Sequence, residues 1–292
     1  MLLWQGKSKG NKAGYQIFVW ILKKFGVIPA YFLLRFVVFY YFIFSYKSSK
    51  QIYSLYHHKL GYGFFASIIK LYKNYLLLGQ SIIDKVVLMS GIKNDFTFEF
   101  DGEENIREIA SLNNGGILLS AHIGNWDIAG YLLKRINTRI NIIMFDGEKE
   151  KIKEYLNQIT GEKRINIIFV KSDLSHIYEI SEALKNNELV CMHADRFLEG
   201  NKTISTNFLG EPARFPIGPF VLASTFKVPV SYVFAVKETN LHYHLFASKV
   251  IKYDNLGKDD LIRKMLLEFA KEAELKVRKY PEQWFNYYNF WN

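Results

Sequence analysis

Apolar residues recur at helical spacing in the first part of the chain. Between residues 64 and 89 they form one stripe, whose members are Ile68, Leu71, Tyr72, Tyr75, Leu78 and Ile82. Apolar side chains three or four positions apart share one face of a helix, so this segment predicts a long amphipathic helix. The whole of residues 1–92 is apolar and compatible with helix, with Pro29 predicted to interrupt it. We therefore expect a helical N-terminal arm over residues 1–92.

From residue 93 onward the pattern changes to short apolar runs separated by helix-compatible segments. The runs that predict strands are 96–100, 115–121, 140–145, 165–170, 188–193, 228–236 and 241–250. The predicted helices are 126–135, 147–159, 173–186, 214–226 and 257–279. This alternation is typical of an α/β fold with a mostly parallel central sheet flanked by helices. Because most of the runs are continuously apolar, we expect strands buried on both faces, in one domain over residues 93–292.

The arm is rich in aromatic residues and poor in charge. Residues 15–46 carry only three charged side chains, all of them basic, and are too long for the apolar core of a signal peptide. The uncharged stretches 25–34 and 36–46 are each shorter than the roughly 20 residues that a membrane-spanning helix needs. We predict that the arm lies in the headgroup region of a membrane; a single N-terminal anchor and a buried helical hairpin are the alternatives.

Composition narrows the choice of partners. The chain has 38 Lys and Arg against 28 Asp and Glu, a formal charge of +10, and is 16% aromatic. A basic surplus favours an anionic membrane surface, a phosphorylated substrate or an acidic carrier protein. Nucleic acid is not expected, because the aromatic residues concentrate in apolar segments and no reading module is recognisable. The single cysteine, Cys191, allows no disulfide within the chain.

The stretch SAHIGNWDIAG (residues 120–130) carries the first candidate chemistry. His122 follows a predicted buried strand, and Asn125 is predicted to cap a helix that begins at Trp126. In a continuous helix His122 and Asp127 would point about 140° apart, but a turn between them lets the two side chains meet. A carboxylate bound to one imidazole nitrogen leaves the other free as a base. The alternative is a strand-end histidine satisfied by its surroundings beside a solvated acid.

A second candidate pair follows another predicted strand. Asp195 and Arg196 come directly after the run that ends at His193, and the carboxyl ends of parallel strands meet at one edge of a sheet. We therefore expect both residues near His122, although a plain salt bridge between neighbours is an equal alternative. Arg214 is a further candidate for an anionic group. His193 lacks further ligands at a supporting spacing, so no metal site is predicted.

Three segments resemble one protein family. AHIGNWDIAG resembles the His-x4-Asp/Glu motif of the lipid A late acyltransferases, within the wider glycerolipid acyltransferase group. Residues 194–234 are similar to that family's acid-centred loop, Phe-x-Gly turn and Pro/Gly-punctuated helix, and YPEQWFNYYNFW (280–291) to its terminal Pro-Glu-Gln-aromatic signature. The family more often has an amide-bearing residue where this chain has Arg196. The likeness runs from about residue 90 to residue 292.

The resemblance implies a membrane-associated O-acyltransferase. The fatty acyl group would come from acyl carrier protein or a coenzyme A thioester and pass to a hydroxyl of a lipid such as a lipid A precursor. His122 would be the general base and Asp127 the acid that orients it, with Asn125, Asp195, Arg196 and Arg214 as substrate-binding residues. No covalent acyl-enzyme is implied, no Gly-x-Ser-x-Gly elbow is present, and no cofactor is expected.

The expected location is the cytoplasmic face of the inner membrane. Two alternatives to the implied function stay open. One is the same chemistry on an amino-acid lipid or another lysolipid. The other is a non-catalytic, membrane-binding homologue.

Overall fold

The computed structural model describes residues 12–132, 136, 138–145, 165–171, 173–197, 200–252 and 256–291. Its α-helices are α1 (Lys12–Phe25), α2 (Val27–Phe44), α3 (Tyr46–Ser54), α4 (Phe64–Met89), α5 (Glu103–Ser111), α6 (Trp126–Leu132), α7 (His176–Lys185), α8 (Gly218–Phe226) and α9 (Lys258–Lys279). Its strands are β1 (Thr97–Asp101), β2 (Gly116–Ser120), β3 (Ile140–Phe145), β4 (Ile165–Val170), β5 (Leu189–His193), β6 (Thr203–Phe208), β7 (Glu211–Pro216), β8 (Val230–Lys237) and β9 (His242–Ala247).

The central sheet confirms the predicted fold class. Within the described ranges it has seven strands in the order β1-β9-β8-β2-β5-β3-β4. All neighbours pair in parallel except β8 and β9, so β9 and β1 run opposite to the other five strands. Strand β2 lies at the centre, and Gly116 to Leu119 are buried, as expected for a strand covered on both faces. The protein is an α/β fold with a mostly parallel sheet flanked by helices.

The arm packs on the sheet as part of the same structure. Helices α2 and α4 share an apolar core with Phe96, Ile128 and Tyr243, on one side of the sheet. On the other side, the apolar face of α9 packs with β8 and the β6–β7 hairpin in a second core. Because the helices and the sheet bury their apolar faces against each other, the ends of the strands are held in place. The candidate site residues lie at these ends.

Helix α2 differs from the prediction in where it begins. The chain breaks at Gly26, which has φ 84°, and Pro29 lies in the first turn of α2, where a missing N–H costs nothing. By length and composition, α2 is the one helix in the described part of the chain that could cross a membrane. One face of it is buried: Val27, Ala30, Tyr31, Leu34 and Val38. The opposite face is apolar and exposed: Ile28, Phe32, Phe36, Phe39, Tyr40, Ile43 and Phe44.

The helix predicted over 214–226 also differs from the structure. The helix expected over 214–226 begins only at Gly218, because residues 211–216 form β7, which pairs antiparallel with β6 in a separate hairpin. The strand was missed because β7 is short, contains two prolines and mixes exposed with buried residues. It therefore lacks the continuous apolar run that predicts a strand. The helix predicted over 147–159 lies outside the described residues.

Candidate functional site

His122 and Asp195 meet because their strands are neighbours in register. Strands β2 and β5 pair in parallel with Ser120 opposite His193, and His122 and Asp195 each lie two residues beyond that pair. The Asp195 carboxylate therefore reaches His122 twice. Its Oδ1 lies 2.7 Å from the imidazole Nδ1, and its Oδ2 accepts the backbone N–H of His122 at 2.9 Å. Asp195 is 3% exposed, so the pair lies at the inner end of any cleft above the sheet.

Asp127 takes a different position from the one predicted. Its carboxylate accepts a hydrogen bond from Lys85 Nζ of α4 at 3.0 Å, and its side chain is 32% exposed. The first turn of α6 faces α4, which draws Asp127 to the lysine, while the register of β2 and β5 brings Asp195 onto the ring. The acid that orients His122 in the structure is thus Asp195, which corrects the predicted pairing. Asp127 still acts electrostatically, because its charge raises the pKa of His122.

Asn125 is a support of the turn. Its Oδ1 accepts the N–H of Ile128 at 3.4 Å, the contact expected of a helix cap. Its Nδ2 donates to the carbonyl of Ser81 at 3.0 Å and to the hydroxyl of Tyr243 at 3.3 Å. Asn125 is 3% exposed, so these hydrogen bonds lie inside the protein. The predicted cap is confirmed, and a contact of Asn125 with substrate stays a prediction.

The turn itself requires glycine at position 124. Gly124 has φ +70°, and a Cβ built there would lie 1.9 Å from the carbonyl oxygen of Ala235. On either side of this close approach the backbone is clamped: Gly124 N–H donates to the carbonyl of Gln283 at 2.8 Å, and Asn125 N–H to that of Ala235 at 2.7 Å. The bend that carries His122 is therefore fixed by strand β8 and by the segment after α9.

The C-terminal segment, residues 281–291, completes the surroundings of the pair. Phe285 N–H donates to the carbonyl of His122 at 3.0 Å. The Tyr288 hydroxyl donates to the backbone carbonyl of Asp195 at 2.8 Å, and Trp284 Nε1 lies 3.5 Å from Asp195 Oδ2. The sequence marked this aromatic segment only by its resemblance, with no signal that it contacts the candidate site.

Two further rings lie against His122. The His193 ring centroid is 4.3 Å from that of His122, and the Trp126 ring is 4.9 Å from His122 and 5.3 Å from His193. Burial and the neighbouring His122 hold the pKa of His193 well below its usual value. His122, His193 and Asp195 also place ligand atoms within 4.8 Å of one another, so the cluster could hold a metal ion as well as move a proton.

The electrostatics favour a neutral imidazole against an ionised carboxylate. Burial and the Arg196 guanidinium lower the pKa of His122, which outweighs the opposing effect of Asp195. Burial alone would raise the pKa of Asp195, but His122, its hydrogen bond and Arg196 together hold that pKa well below its usual range. A carboxylate accepts only, so Nδ1 carries the proton and Nε2 keeps a lone pair. This arrangement can accept a proton from a bound hydroxyl.

The two predicted arginines point to different surroundings. Arg196 is half-buried and donates from Nη2 to the carbonyl of Phe285, with its Cζ 6.0 Å from the Tyr288 ring. Arg214 is exposed on β7, with its Cζ 5.5 Å from the Phe197 ring. Arg196 and His122 both make hydrogen bonds to the backbone of Phe285, which confirms the predicted proximity. Binding of an anion by either arginine stays a prediction.

Comparison with known proteins places this site in a family context. The model of the bacterial lipid A biosynthesis acyltransferase family matches residues 78–292. A phosphatidylinositol mannoside acyltransferase of Mycobacterium tuberculosis H37Rv is 36% identical over 116 residues, and that of strain CDC 1551 is 35% identical over 116 residues. Each of these alignments covers 37% of this chain and 34% of the relative, so the chain spans about a third of the curated relatives it matches.

A solved structure was also found. The 1-acyl-sn-glycerophosphate acyltransferase of Thermotoga maritima aligns with a TM-score of 0.42 and 15% sequence identity, over 84% of this chain and 95% of that one. The family model, in contrast, matches well over half of the 292 residues and includes both His122 and Asp195. The chain therefore belongs to the bacterial lipid A biosynthesis acyltransferase family.

Proposed function

We propose that this protein transfers a fatty acyl group from a thioester to a hydroxyl of a membrane lipid, with His122 as general base. The observation that carries the proposal is the 2.7 Å contact between Asp195 and His122 Nδ1, which leaves Nε2 as the basic atom. Family membership supports the same chemistry.

The reaction needs one proton carrier and no covalent enzyme intermediate. Nε2 takes the proton of the acceptor hydroxyl while its oxygen attacks the thioester carbonyl. As the C–S bond breaks, the imidazolium returns the proton to the leaving thiolate. Asp195 holds the ring in the required tautomer and stabilises the imidazolium that forms transiently. Proton transfer of this kind contributes about 10²–10⁴-fold, and the alignment of the two substrates contributes further.

The donor we propose is acyl carrier protein or coenzyme A. Both are anionic, and the formal charge of +10 favours their approach. The acceptor we propose is a glycolipid hydroxyl, as in a lipid A precursor; the curated relatives are named for a phosphatidylinositol mannoside. A mainly polar cavity of about 250 Å³ supports a polar headgroup next to the site, because Tyr288, which binds the backbone of Asp195, lines it together with Lys59 and Asn286.

Attachment at the cytoplasmic face of the inner membrane is part of the proposal. The exposed face of α2 carries Phe32, Phe36 and Phe39, and these residues, like Phe64 and Phe65 at the start of α4, are each more than half exposed. An apolar, aromatic surface of this kind inserts into the boundary between headgroups and acyl chains. The variant Phe32→Ser/Phe36→Ser should bind anionic vesicles more weakly. Tyr178→Ser, which changes an exposed aromatic residue on α7, should bind them like the wild type.

The transfer itself is tested with labelled donors. Purified protein receives acyl carrier protein or coenzyme A carrying a labelled fatty acid, together with lipid A precursors, lysolipids, amino-acid lipids and total lipid extract. We expect label to enter a lipid with the wild type and with His58→Ala, an exposed histidine, and not with His122→Ala. Equal transfer by His122→Ala would exclude the mechanism. Vesicle binding without transfer to any acceptor would favour the non-catalytic alternative.

A further inference from the structure

Acidic and histidine side chains share one face at the edge of the sheet, apart from the His122 site. Alternation along β1 puts Thr97, Glu99 and Asp101 on one face. The parallel register places His242 opposite Thr97 and His244 opposite Glu99. An imidazole pair on one strand thus lies beside a carboxylate pair on the next, a spacing that neither strand requires for packing.

Both imidazoles have the same orientation. Nδ1 of His242 lies 2.8 Å from the Thr97 hydroxyl, and Nδ1 of His244 lies 3.3 Å from Glu238 Oε1. Each ring therefore directs Nε2 at a carboxylate: His242 at Glu99, 3.7 Å away, and His244 at Asp101, 2.9 Å away. Histidines that bind a metal are held in this way, with the second nitrogen fixed by a carboxylate or another polar group.

The position of His244 Nε2 points to a cation. His244 is 9% exposed, and within the described part of the chain this nitrogen makes no hydrogen bond, although Asp101 Oδ2 is 2.9 Å away. When the ring carries its proton on Nδ1, which faces Glu238 Oε1 at 3.3 Å, the lone pair of Nε2 faces the carboxylate oxygen of Asp101. Two acceptors at that distance repel each other unless a cation lies between them. A proton between His244 Nε2 and Asp101 Oδ2 would give a well-aligned hydrogen bond, and the two atoms are not aligned for one. Two ligands of one metal ion need no such alignment.

We propose that Glu99, Asp101 and His244 bind one divalent transition-metal ion, with Zn²⁺ as the best match. Their ligand atoms lie within 4.8 Å of one another. Glu99 also belongs to a second group of neighbouring ligand atoms that includes His242, so His242 is available as a further ligand. Imidazole together with carboxylates favours Zn²⁺ over Mg²⁺, which prefers oxygen ligands alone.

The ion would tie the edge strand β1 to β9. Three carboxylates face the site, those of Glu99, Asp101 and Glu238. At its border the Lys276 ammonium lies over the ring of Phe246. Since β1 is held in the sheet by β9 alone, a bridge between them stabilises the strand that leads into α5.

The test uses the full chain, stripped of metal with a chelator and titrated with Zn²⁺ alone. We expect one strongly bound Zn²⁺ per chain, undisturbed by excess Mg²⁺, and a higher melting temperature with Zn²⁺ than without. His244→Ala and the conservative Asp101→Asn each remove a direct ligand, so each should weaken binding by more than the roughly 10–100-fold that loss of an outer-shell partner causes, and abolish the thermal shift. His58→Ala is the matched control and should bind like the wild type.

A further variant separates this site from the one around His122. His122→Ala should keep the bound Zn²⁺, because the proposed ligands are on β1 and β9. No uptake by the wild type would overturn the proposal, as would wild-type binding by both His244→Ala and Asp101→Asn. Loss of the ion in His122→Ala alone would also overturn it.

Discussion

Replacement of Asp195 by asparagine tests which acid serves His122. The carboxylate makes two hydrogen bonds to His122, at 2.7 Å to the ring and 2.9 Å to the backbone N–H. Hydrogen bonds to a charged group contribute about 1.5–3 kcal/mol each, so their combined loss amounts to about 3–6 kcal/mol. If this falls on the transition state, the rate drops about 10²–10⁴-fold, at 1.36 kcal/mol for each factor of ten. An amide can also donate to Nδ1, which would move the ring proton to Nε2 and remove the base.

The assay is the steady-state transfer of labelled acyl groups, with kcat and KM measured separately. Asp195→Asn should lower kcat far more than it changes KM, since the carboxylate acts on the base. The matched variant is Asp127→Asn, which removes an acid bound to Lys85 and affects His122 only through its charge. We expect its loss to be smaller than that of Asp195→Asn. A larger loss for Asp127→Asn would refute the assignment of Asp195 as the orienting acid.

Three other predictions concern the pKa of His122, the buried Lys237–Asp84 pair and the turn at Gly124. Because burial lowers the pKa of His122, kcat/KM should rise with pH and level off with an apparent pKa below the usual 6.5, and a profile that still rises above that value would contradict it. Lys237→Met should lower the free energy of unfolding by about 3–5 kcal/mol, because Lys237 is the cation that pairs with the fully buried Asp84 carboxylate and only the hydroxyls of Tyr31 and Tyr243 would remain on it; Lys237→Met/Asp84→Asn should recover part of this in a urea titration. Gly124→Ala should lower both the denaturation midpoint and the transfer rate, because its Cβ would meet the carbonyl of Ala235, and a wild-type midpoint would contradict it.

Much of the fold could be predicted because burial leaves a mark in the sequence. Strands β2, β5 and β8 are continuously apolar, and the long stripe of α4 has helical spacing, so each was found close to its observed bounds. Hairpin β6–β7 was missed because neither strand has a continuous apolar run and five of their twelve residues are exposed. The reversal of β9 could have been inferred from the four residues that join it to β8, because so short a connection pairs strands antiparallel, whereas the pairing of β1 with β9 joins residues far apart in sequence.

The candidate site was predicted in its parts and not in its pairing. His122 and Asp195 both follow apolar strands, which was enough to expect them at one edge of the sheet. The choice of Asp127 as partner relied on closeness in sequence, whereas the contact with Asp195 depends on the register of β2 and β5. That register could have been inferred by aligning the two strand ends. The contacts of Trp284 and Tyr288 join residues about 90 positions apart, and no local pattern reports them.

The dependence of the site on residues 281–291 has a consequence for biosynthesis. The carbonyls and N–H groups of Gln283 and Phe285 hold the turn at His122, and Trp284 closes over Asp195. On the ribosome, the sheet can be translated in full while these residues are still inside the exit tunnel. The nascent chain therefore carries an incompletely supported His122 until residues 281–291 have emerged, and a chain that stops before Gln283 would lack the hydrogen bonds that hold this turn.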